Sequence, residues 1–330
     1  MTVLIIGSNS FSGASFVKLL LQEGKKVIGV SRSKEVWEPF RPYTWDASAS
    51  LRNFEFKQID LNKNMAELIS LINQKKPKII VNFAAQSMVG QSWEIPNDWY
   101  NTNVMAFSEL MQAMCNLDFL ENYIHFSTPE VYGSTEGIIS EEYRFNPTTP
   151  YAISRAAGDF MVRAYRDNFS MPSIITRASN VYGPGQQLYR IIPKTIATAL
   201  NHGNLTLDGG GKSDRDFIHI DDVSSALLSL LSNKTASNEF HISTENQITI
   251  HRLVEIIFER VGVDFEDHVT VGPDRIGKDK SYYLSSKNIL SQTSWKPRIS
   301  LERGIAEVIN WYKTHGDLLA SHSTEYKHKA

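Results

Sequence analysis

The sequence predicts an α/β fold in which a doubly wound parallel sheet is followed by a smaller mixed C-terminal lobe. Short apolar runs typical of buried parallel strands alternate with amphipathic helical stretches through the first half. This alternation is lost after Pro184, where helices mix with short strands. We therefore predict a sheet domain over residues 1–177 and a second lobe over residues 178–330, with some of the chain crossing back to the first domain.

The first half contains six predicted strands and four predicted helices. The strands are expected at residues 3–6, 27–30, 54–59, 78–83, 122–126 and 173–176, and the helices at 14–22, 65–74, 97–116 and 151–168. In the second half we expect helices at 193–200, 223–231, 250–261 and 301–311, and strands at 205–207, 217–220 and 240–242. An aspartate is expected to cap the helix from residue 223, and the tail from His315 is expected to fray.

Composition excludes several classes of protein. The chain has 330 residues, of which 42% are hydrophobic and 21% charged, which is ordinary for a globular protein. A formal net charge of −2 argues against a nucleic-acid partner, because no basic excess is available to neutralise phosphates. The single cysteine, Cys115, excludes an internal disulfide and fits a reducing compartment. No signal peptide or membrane-spanning run is recognised, so we expect a cytoplasmic protein without a membrane partner.

A glycine-rich turn follows the first predicted strand. Gly7 and Gly13 occupy the outer positions of a G-x-x-G-x-x-G spacing, and Ser10 stands in the middle. A strand, such a turn and a helix form the first unit of a dinucleotide-binding (Rossmann) fold, where backbone N–H groups approach a pyrophosphate. We assign Gly7, Asn9, Ser10, Phe11 and Gly13 to cofactor binding. The alternative is a strand–turn–helix with glycines for steric reasons.

The ends of the next strands carry further candidate cofactor residues. The second strand ends in Ser31 and Arg32 without an acidic residue, which favours NADP over NAD because an arginine can accommodate a 2′-phosphate. A solvated basic loop is the alternative. Five residues at the ends of the third and fourth strands are expected to contact the dinucleotide: Asp60, Leu61, Ala84, Ala85 and Gln86.

Four side chains with catalytic chemistry converge at the same predicted edge. The fifth strand leads into Thr128 and Glu130, and a helix carries Tyr151 and Arg155 one turn apart on one face. A cation beside a phenol favours the phenolate, which can serve as a general base. A Tyr–Arg pair at this spacing is by itself more often a surface pair, so the interpretation depends on the surrounding residues. No set of residues with metal-ligand spacing is found, and we predict no metal.

Several stretches, in order, resemble motifs of the extended short-chain dehydrogenase/reductases that act on nucleotide sugars. The closest resemblance is to the dTDP-glucose and GDP-mannose 4,6-dehydratases. Residues 126–133 resemble S-T-D-E-V-Y-G, residues 151–155 resemble Y-x-x-x-K, and residues 177–184 resemble R-x-S-N-x-Y-G-P. Residues 215–222 resemble R-D-[FW]-[IL]-x-[IV]-x-D, and residues 275–297 resemble the R-P-G-x-D … K … G-W-K-P terminus.

The resemblance implies a reaction and a role for each matching residue. A tightly bound cofactor takes a hydride from C4 of the sugar, water leaves across C5 and C6, and the hydride returns to C6. Tyr151 would be the base, Thr128 would hydrogen-bond the reacting oxygen, and Arg155 would bind the nicotinamide ribose and lower the pKa of Tyr151. Glu130 would remove the C5 proton. The implied substrate-binding residues are Ser87, Asn180, Arg190, Lys194, Arg215, Arg275 and Asp279.

The resemblance also implies a homodimer, through the helices at residues 97–116 and 151–168. Three residues depart from the family pattern: Arg155 replaces lysine, Pro129 replaces an aspartate, and Ser10 replaces glycine. Arginine keeps the charge but cannot pass on a proton. A 4-epimerase, a 4-reductase, a uronate decarboxylase or a low-turnover cofactor-binding regulator therefore remain open. Glu130 favours a dehydratase or a decarboxylase, because both need a carboxylate near C5.

Overall fold

A seven-stranded parallel sheet organises the part of the chain that the structure describes. The structure is a computed structural model, and it describes residues 1–45, 50–233, 235–273 and 281–329. The strands of this sheet are β1 (Thr2–Ile6), β2 (Lys26–Ser31), β3 (Phe54–Gln58), β4 (Ile79–Asn82), β5 (Asn122–Phe126), β7 (Ser173–Ala178) and β11 (Glu239–Ile242). Their spatial order is β3-β2-β1-β4-β5-β7-β11. The order reverses between β1 and β4, which is where doubly wound sheets bind ligands.

Helices cover both faces of the sheet. The α-helices are α1 (Phe11–Gln22), α2 (Met65–Lys75), α3 (Pro96–Tyr100), α4 (Phe107–Met114), α5 (Pro150–Phe169), α6 (Ile191–Leu200), α7 (Ile220–Ser232), α8 (Ile250–Val261), α9 (Lys287–Gln292), α10 (Leu301–Thr314) and α11 (Gly316–Leu319). Alternate residues of β1 enter the two layers, Val3 and Ile5 with α1 and α7, and Leu4 and Ile6 with α2, α4 and α5. A strand buried on both faces explains the continuous apolar run.

The second lobe is built from small sheets and packed helices. Its strands are β8 (Asn180–Tyr182), β9 (Leu205–Asp208), β10 (Asp214–His219), β12 (Gln247–Thr249) and β13 (Val269–Gly272), and the chain also forms β6 (Ile138–Ile139) and β14 (Tyr283–Leu284). Apolar residues of α6, α8 and α10 share one core with β8 and β10. The predicted α/β class with a smaller mixed lobe is confirmed, and the domain boundary at residue 177 stays a prediction.

Four elements differ from what the sequence predicts. The helix expected at 97–116 is interrupted by a π-helical segment, Asn101–Ala106. Helix α7 begins at Ile220 and is capped by His219, whose Nδ1 accepts from the Asp221 N–H, so the aspartate cap was wrong. Strand β11 pairs with β7 in the main sheet rather than standing in the second lobe. The tail beyond His315 forms α11 and then makes specific contacts, so the expected fraying was wrong.

Over the residues with described coordinates, no helix combines the length and the apolar character that a membrane crossing requires.

Candidate active site

The turn after β1 has a backbone that only glycine fits. Gly7 has a φ of +85°, and a Cβ at this position would lie 2.6 Å from the Ala84 nitrogen. Gly13 packs so tightly that a Cβ would lie 2.3 Å from the Gly7 oxygen. Ser10 caps α1, because its Oγ accepts from the Gly13 N–H at 3.0 Å. The serine that departs from the family glycine therefore starts the helix whose N-terminus faces the cleft.

This turn opens onto a cavity of about 680 Å³ along the carboxyl ends of β1 to β4. The volume is within the range of small-molecule sites. Residues 187–189 of the second lobe line the cavity as well, and so do seven residues of the C-terminal segment: Ser321, His322, Ser323, Glu325, Tyr326, Lys327 and Lys329. Nine of the predicted cofactor residues line it: Gly7, Asn9, Ser10, Ser31, Arg32, Asp60, Leu61, Ala84 and Ala85.

Several of these residues shape the cavity through contacts within the protein. The Asn9 amide donates to the carbonyls of Ser33 and Lys34 at 3.1 and 2.9 Å, and its backbone N–H donates to Ser31 Oγ at 2.9 Å. Asn9 and Ser31 thus fix the turn after β1 against the loop after β2. Asp60 Oδ1 accepts from the Asn62 N–H at 2.9 Å. This contact fixes the loop after β3 at the rim.

Gln86 is buried just behind the cavity wall and is held by the π-helical segment. Asn103 Oδ1 accepts from the Gln86 N–H at 2.9 Å, and Asn103 Nδ2 donates to the Gln86 carbonyl at 3.0 Å and to Ser154 Oγ at 2.9 Å. The sequence gives no signal for Asn103, because a π-helical turn is not visible in the apolar pattern. One side chain therefore joins the end of β4 to the helix that carries Tyr151.

Tyr151, Thr128 and Glu130 come together at the end of β5. Tyr151 lies in the first turn of α5, and the Thr128 hydroxyl hydrogen-bonds to its phenol. Thr128 also caps the short helix that carries Glu130, since its Oγ1 accepts from the Glu130 N–H at 3.3 Å. Glu130 is partly buried and close enough to influence the ionisation of Tyr151. A hydroxyl, a phenol and a carboxylate thus lie near one another after the end of β5, the strand next to β4.

The pKa of Tyr151 is raised above its ordinary value. Burial is the largest cause and the Glu130 carboxylate adds to it, while Arg155 and the hydrogen bond from Thr128 lower the pKa. Arg155 lowers the pKa of Tyr151, as the resemblance implies, but the net shift is upward. The guanidinium acts in the expected sense, but desolvation outweighs it.

Arg155 is buried beneath the end of β5. Its Nη2 donates to the Phe126 carbonyl at 2.5 Å and lies 3.3 Å from His125 Nε2. Burial and two neighbouring cations, Arg155 and Arg177, hold the pKa of His125 well below its ordinary value, so the imidazole is neutral and can accept from the guanidinium. The spacing of Tyr151 and Arg155 predicted a shared helix face. It could not predict that the guanidinium lies against the strand backbone.

A second buried cation, Arg177 on β7, joins the elements around the site. Its Nε and Nη2 donate to Asp159 Oδ2 at 3.0 and 2.7 Å, and its Nη1 donates to Glu239 Oε2 and to the Tyr132 hydroxyl, both at 3.0 Å. Tyr132 lies in the same short helix as Glu130. The guanidinium therefore holds α5, β11 and the Glu130 segment in one arrangement.

The predicted substrate-binding residues fall into separate groups. Tyr282, which the sequence did not indicate, donates to Asn180 Oδ1 at 3.2 Å, and the Arg215 guanidinium lies 5.0 Å from its ring centre. Arg190 precedes α6, its guanidinium lies 5.5 Å from the Tyr189 ring centre, and its charge lowers the pKa of Tyr151. Lys194 lies one turn further along α6, and Ser87 is exposed after β4. Arg275 and Asp279 lie outside the described residues.

Within the described ranges, no group of three or more His, Cys, Asp or Glu side chains is arranged to hold a metal ion.

Comparison with known proteins gives one consistent family. The family model described as GDP-mannose 4,6 dehydratase matches residues 4–308. A dTDP-glucose 4,6-dehydratase of Mycobacterium tuberculosis is 29% identical over 321 residues, covering 95% of this chain and 93% of the relative. The solved structure of DesIV, a dTDP-glucose 4,6-dehydratase of Streptomyces venezuelae with NAD bound, has a TM-score of 0.85 and 28% identity and covers 96% of this chain and 98% of its own.

An enzyme with a different reaction shares the fold. A UDP-glucuronic acid 4-epimerase of Bacillus cereus has a TM-score of 0.83 at 23% identity, covering 95% of this chain and 99% of its own. This similarity concerns the architecture alone, whereas the family model extends over nearly the whole sequence. The resemblance seen in the motifs is thereby confirmed, and the chain belongs to the GDP-mannose 4,6 dehydratase family of the extended short-chain dehydrogenase/reductases.

Proposed function

We propose that the protein is a nucleotide-sugar 4,6-dehydratase that keeps a nicotinamide dinucleotide bound through its catalytic cycle. The observation that carries this proposal is the proximity of Thr128, Glu130 and Tyr151 after the end of β5, the strand next to β4, whose end lines the dinucleotide cleft. Relatives over nearly the whole length of the chain are named dTDP-glucose 4,6-dehydratases, which supports the same reaction class.

The residues around the cavity fit a dinucleotide. The turn at Gly7 brings backbone close to the cleft, and the N-terminus of α1 provides N–H groups and a positive dipole end for a pyrophosphate. Asp60 and Leu61 would border the adenine, and Ala84 and Ala85 would allow the cofactor to lie close to the end of β4. A nicotinamide dinucleotide held by these residues would supply the hydride acceptor for C4 and the hydride donor for C6.

Tyr151 is the proposed base for the 4-hydroxyl, and Thr128 holds that oxygen by a hydrogen bond. The raised pKa means that the unliganded protein contains little phenolate at neutral pH. The N-terminus of α5 and the Arg155 charge oppose this effect, because both favour the negative phenolate. The 4-oxygen remains a ketone in the product: addition of the hydride at C6 leaves an enolate that takes up a proton at C5, and the proton that Tyr151 took from the 4-hydroxyl balances this uptake.

Glu130 is the proposed group for the elimination of water. It would remove the proton from C5, which the neighbouring 4-keto group makes acidic, and give that proton to the C6 hydroxyl as it leaves. Pro129 occupies the position at which the motif of the dTDP-glucose dehydratases has an aspartate. Proline has no acidic proton to donate. One carboxyl group therefore acts first as the base and then as the acid in this chain.

Changing Glu130 to Gln is expected to separate the two halves of the reaction. Oxidation at C4 should persist, and its pH midpoint should move to lower pH, because the carboxylate that raises the pKa of Tyr151 is gone. Exchange of the C5 proton with deuterated water, followed by mass spectrometry, should stop. Glu136→Gln, in the exposed loop after the same segment, is the matched control. Exchange at the normal rate in Glu130→Gln would remove Glu130 from the mechanism.

A substrate panel tests the reaction class. We expect the purified protein, without added cofactor, to convert one of dTDP-glucose, GDP-mannose or UDP-glucose into a product lighter by one water, as measured by mass spectrometry. Release of carbon dioxide from UDP-glucuronate would instead show a decarboxylase. An epimer of unchanged mass would show a 4-epimerase. A protein that holds its dinucleotide but converts no member of the panel would be a cofactor-binding regulator.

The choice between NAD and NADP rests on the end of β2. The solved dehydratase relative carries NAD, and so it does not support the NADP that Arg32 suggested. The Arg32 guanidinium donates to the Lys329 carbonyl at 2.9 Å, so it already has a partner within the chain. We propose NAD as the resident cofactor, and NADP as the alternative that Arg32 favours. Identification of the dinucleotide released by denaturing the purified protein decides between them.

We also propose that two copies of the chain associate through α3, the π-helical segment and α5. Large apolar side chains are exposed there, among them Met105, Ile153 and Phe160, and a partner helix pair would bury them. A molar mass of one chain by light scattering at micromolar concentration would contradict this association. The cytoplasmic location expected from the single cysteine stays a prediction.

A further inference from the structure

The C-terminal segment, residues 321–329, lies across the mouth of the dinucleotide cleft. His328 Nε2 lies 2.6 Å from Asp98 Oδ2 on α3, and the His328 ring stacks on Trp99 with ring centres 5.0 Å apart and planes 12° apart. Trp99 is fully buried, so the ring that anchors the segment is fixed by the core. The segment is thus attached to the sheet domain more than 200 residues away in the sequence.

The end of the segment contacts the side chains that border the cofactor site. The Lys329 carbonyl accepts from Gln86 Nε2 at 2.7 Å and from Arg32 Nη1 at 2.9 Å. Gln86 follows β4 and Arg32 follows β2, and these strands lie on either side of β1 in the sheet. The carbonyl therefore bridges the cleft above the turn that would hold the pyrophosphate.

Aromatic contacts attach the same segment to other walls of the cleft. The Tyr326 ring meets Tyr189 of the second lobe edge-on at 5.2 Å, and its hydroxyl lies 3.2 Å from His328 Nδ1. His322 stacks on Trp37, in the loop after β2, at 4.7 Å. The segment is held at its beginning, middle and end, and these contacts connect the sheet domain with the second lobe.

The segment lines the cavity without filling it. The space of about 680 Å³ remains with residues 321–329 in place, and seven of these nine residues form part of its lining, while His328 anchors the segment from outside the lining. We propose that residues 321–329 are a wall of the dinucleotide site and retain NAD or NADP within it. This inference rests on the proposed function. A dehydratase regenerates its cofactor in every cycle, so a site that releases the dinucleotide slowly does not impede turnover.

The test compares dinucleotide release from the full chain, from a chain ending at Ala320 and from His328→Ala. We expect both variants to lose the dinucleotide on repeated desalting and to release it about tenfold faster or more in a competition experiment, because anchoring hydrogen bonds and a ring stack are lost. Turnover should return when excess dinucleotide is added. His251→Ala, an exposed histidine that does not line the cavity, is the matched control.

The melting temperature without dinucleotide separates this role from a structural one. We expect His328→Ala and the full chain to have the same melting temperature when both are stripped of dinucleotide. When both are loaded, the melting temperature of His328→Ala should be the lower one. Equal release rates in all the chains would overturn the role of the segment and leave the dehydratase proposal intact. If the full chain binds neither NAD nor NADP, the proposed function and this inference both fail.

Discussion

Replacing Tyr151 by Phe is expected to lower the turnover of the nucleotide sugar by about 10²–10⁴-fold, the usual contribution of a general base. The substitution removes the phenolic hydroxyl, which Thr128 contacts, and leaves the aromatic ring in the same buried space. The rate of water loss from the substrate, followed by mass spectrometry, measures the effect. Dinucleotide content should stay unchanged, because the ring and the first turn of α5 remain.

The pH profile of the unmodified protein provides a further check on Tyr151. A base with a raised pKa is active above that pKa, and its phenolate fraction falls about tenfold per pH unit below it. Turnover should therefore rise from neutral toward alkaline pH, and this rise should disappear in Tyr151→Phe. Tyr165→Phe, on the same helix, is the control. A Tyr151→Phe variant as active as this control would disprove the assignment of the base.

Replacing Arg177 by Met is expected to lower the free energy of unfolding by about 3–5 kcal/mol. The guanidinium is fully buried, and its removal would leave the buried Asp159 carboxylate without its cation, whereas Glu239 would keep Arg163 and Arg166 as partners. Such a loss is a large part of the stability of an ordinary domain, about 5–15 kcal/mol. Denaturant titration measures it. Arg252→Met, which removes an exposed pair with Glu255 and Glu259, should change stability little.

The pH dependence of unfolding follows from Glu239. Burial raises the pKa of this carboxyl, but the hydrogen bonds and charges of Arg163 and Arg177 outweigh burial and lower it. A lowered pKa stabilises the folded state above the ordinary glutamate pKa, and the stabilisation is lost as the pH falls through the folded value. This acid-labile component should shrink in Arg177→Met. Equal stability of Arg177→Met and Arg252→Met at neutral pH would show that the buried network does not hold the fold together.

The sheet was predictable because each strand is a short apolar run between turn residues. β5 has the bounds that the sequence predicts, the other five predicted strands of the first half differ at their ends by one or two residues, and the two-residue β6 was not predicted. The π-helical segment was not predictable, since residues 97–116 have the periodicity of one helix. The position of β11 in the main sheet also depends on a partner, β7, that lies far away in the sequence.

The sequence predicted which residues form the candidate site better than it predicted how those residues interact. Spacing places Tyr151 and Arg155 on one helix face, but it does not show that burial outweighs the cation in setting the pKa of the phenol. Ser10 is a departure from a glycine motif in the sequence and a helix cap in the structure. The contact of His328 with Asp98 joins residues at opposite ends of the chain, and no local pattern indicates such a contact.

Because β11 pairs with β7, the sheet domain is not expected to fold correctly without the chain that follows residue 177. A fragment that stopped after β7 would leave that strand as a bare sheet edge, open to pairing with other chains. It would also lack Glu239, which β11 supplies to the buried Arg177. The nucleotide-binding half therefore becomes complete only after the ribosome has passed residue 242, and expression of that half alone is expected to yield an aggregating product.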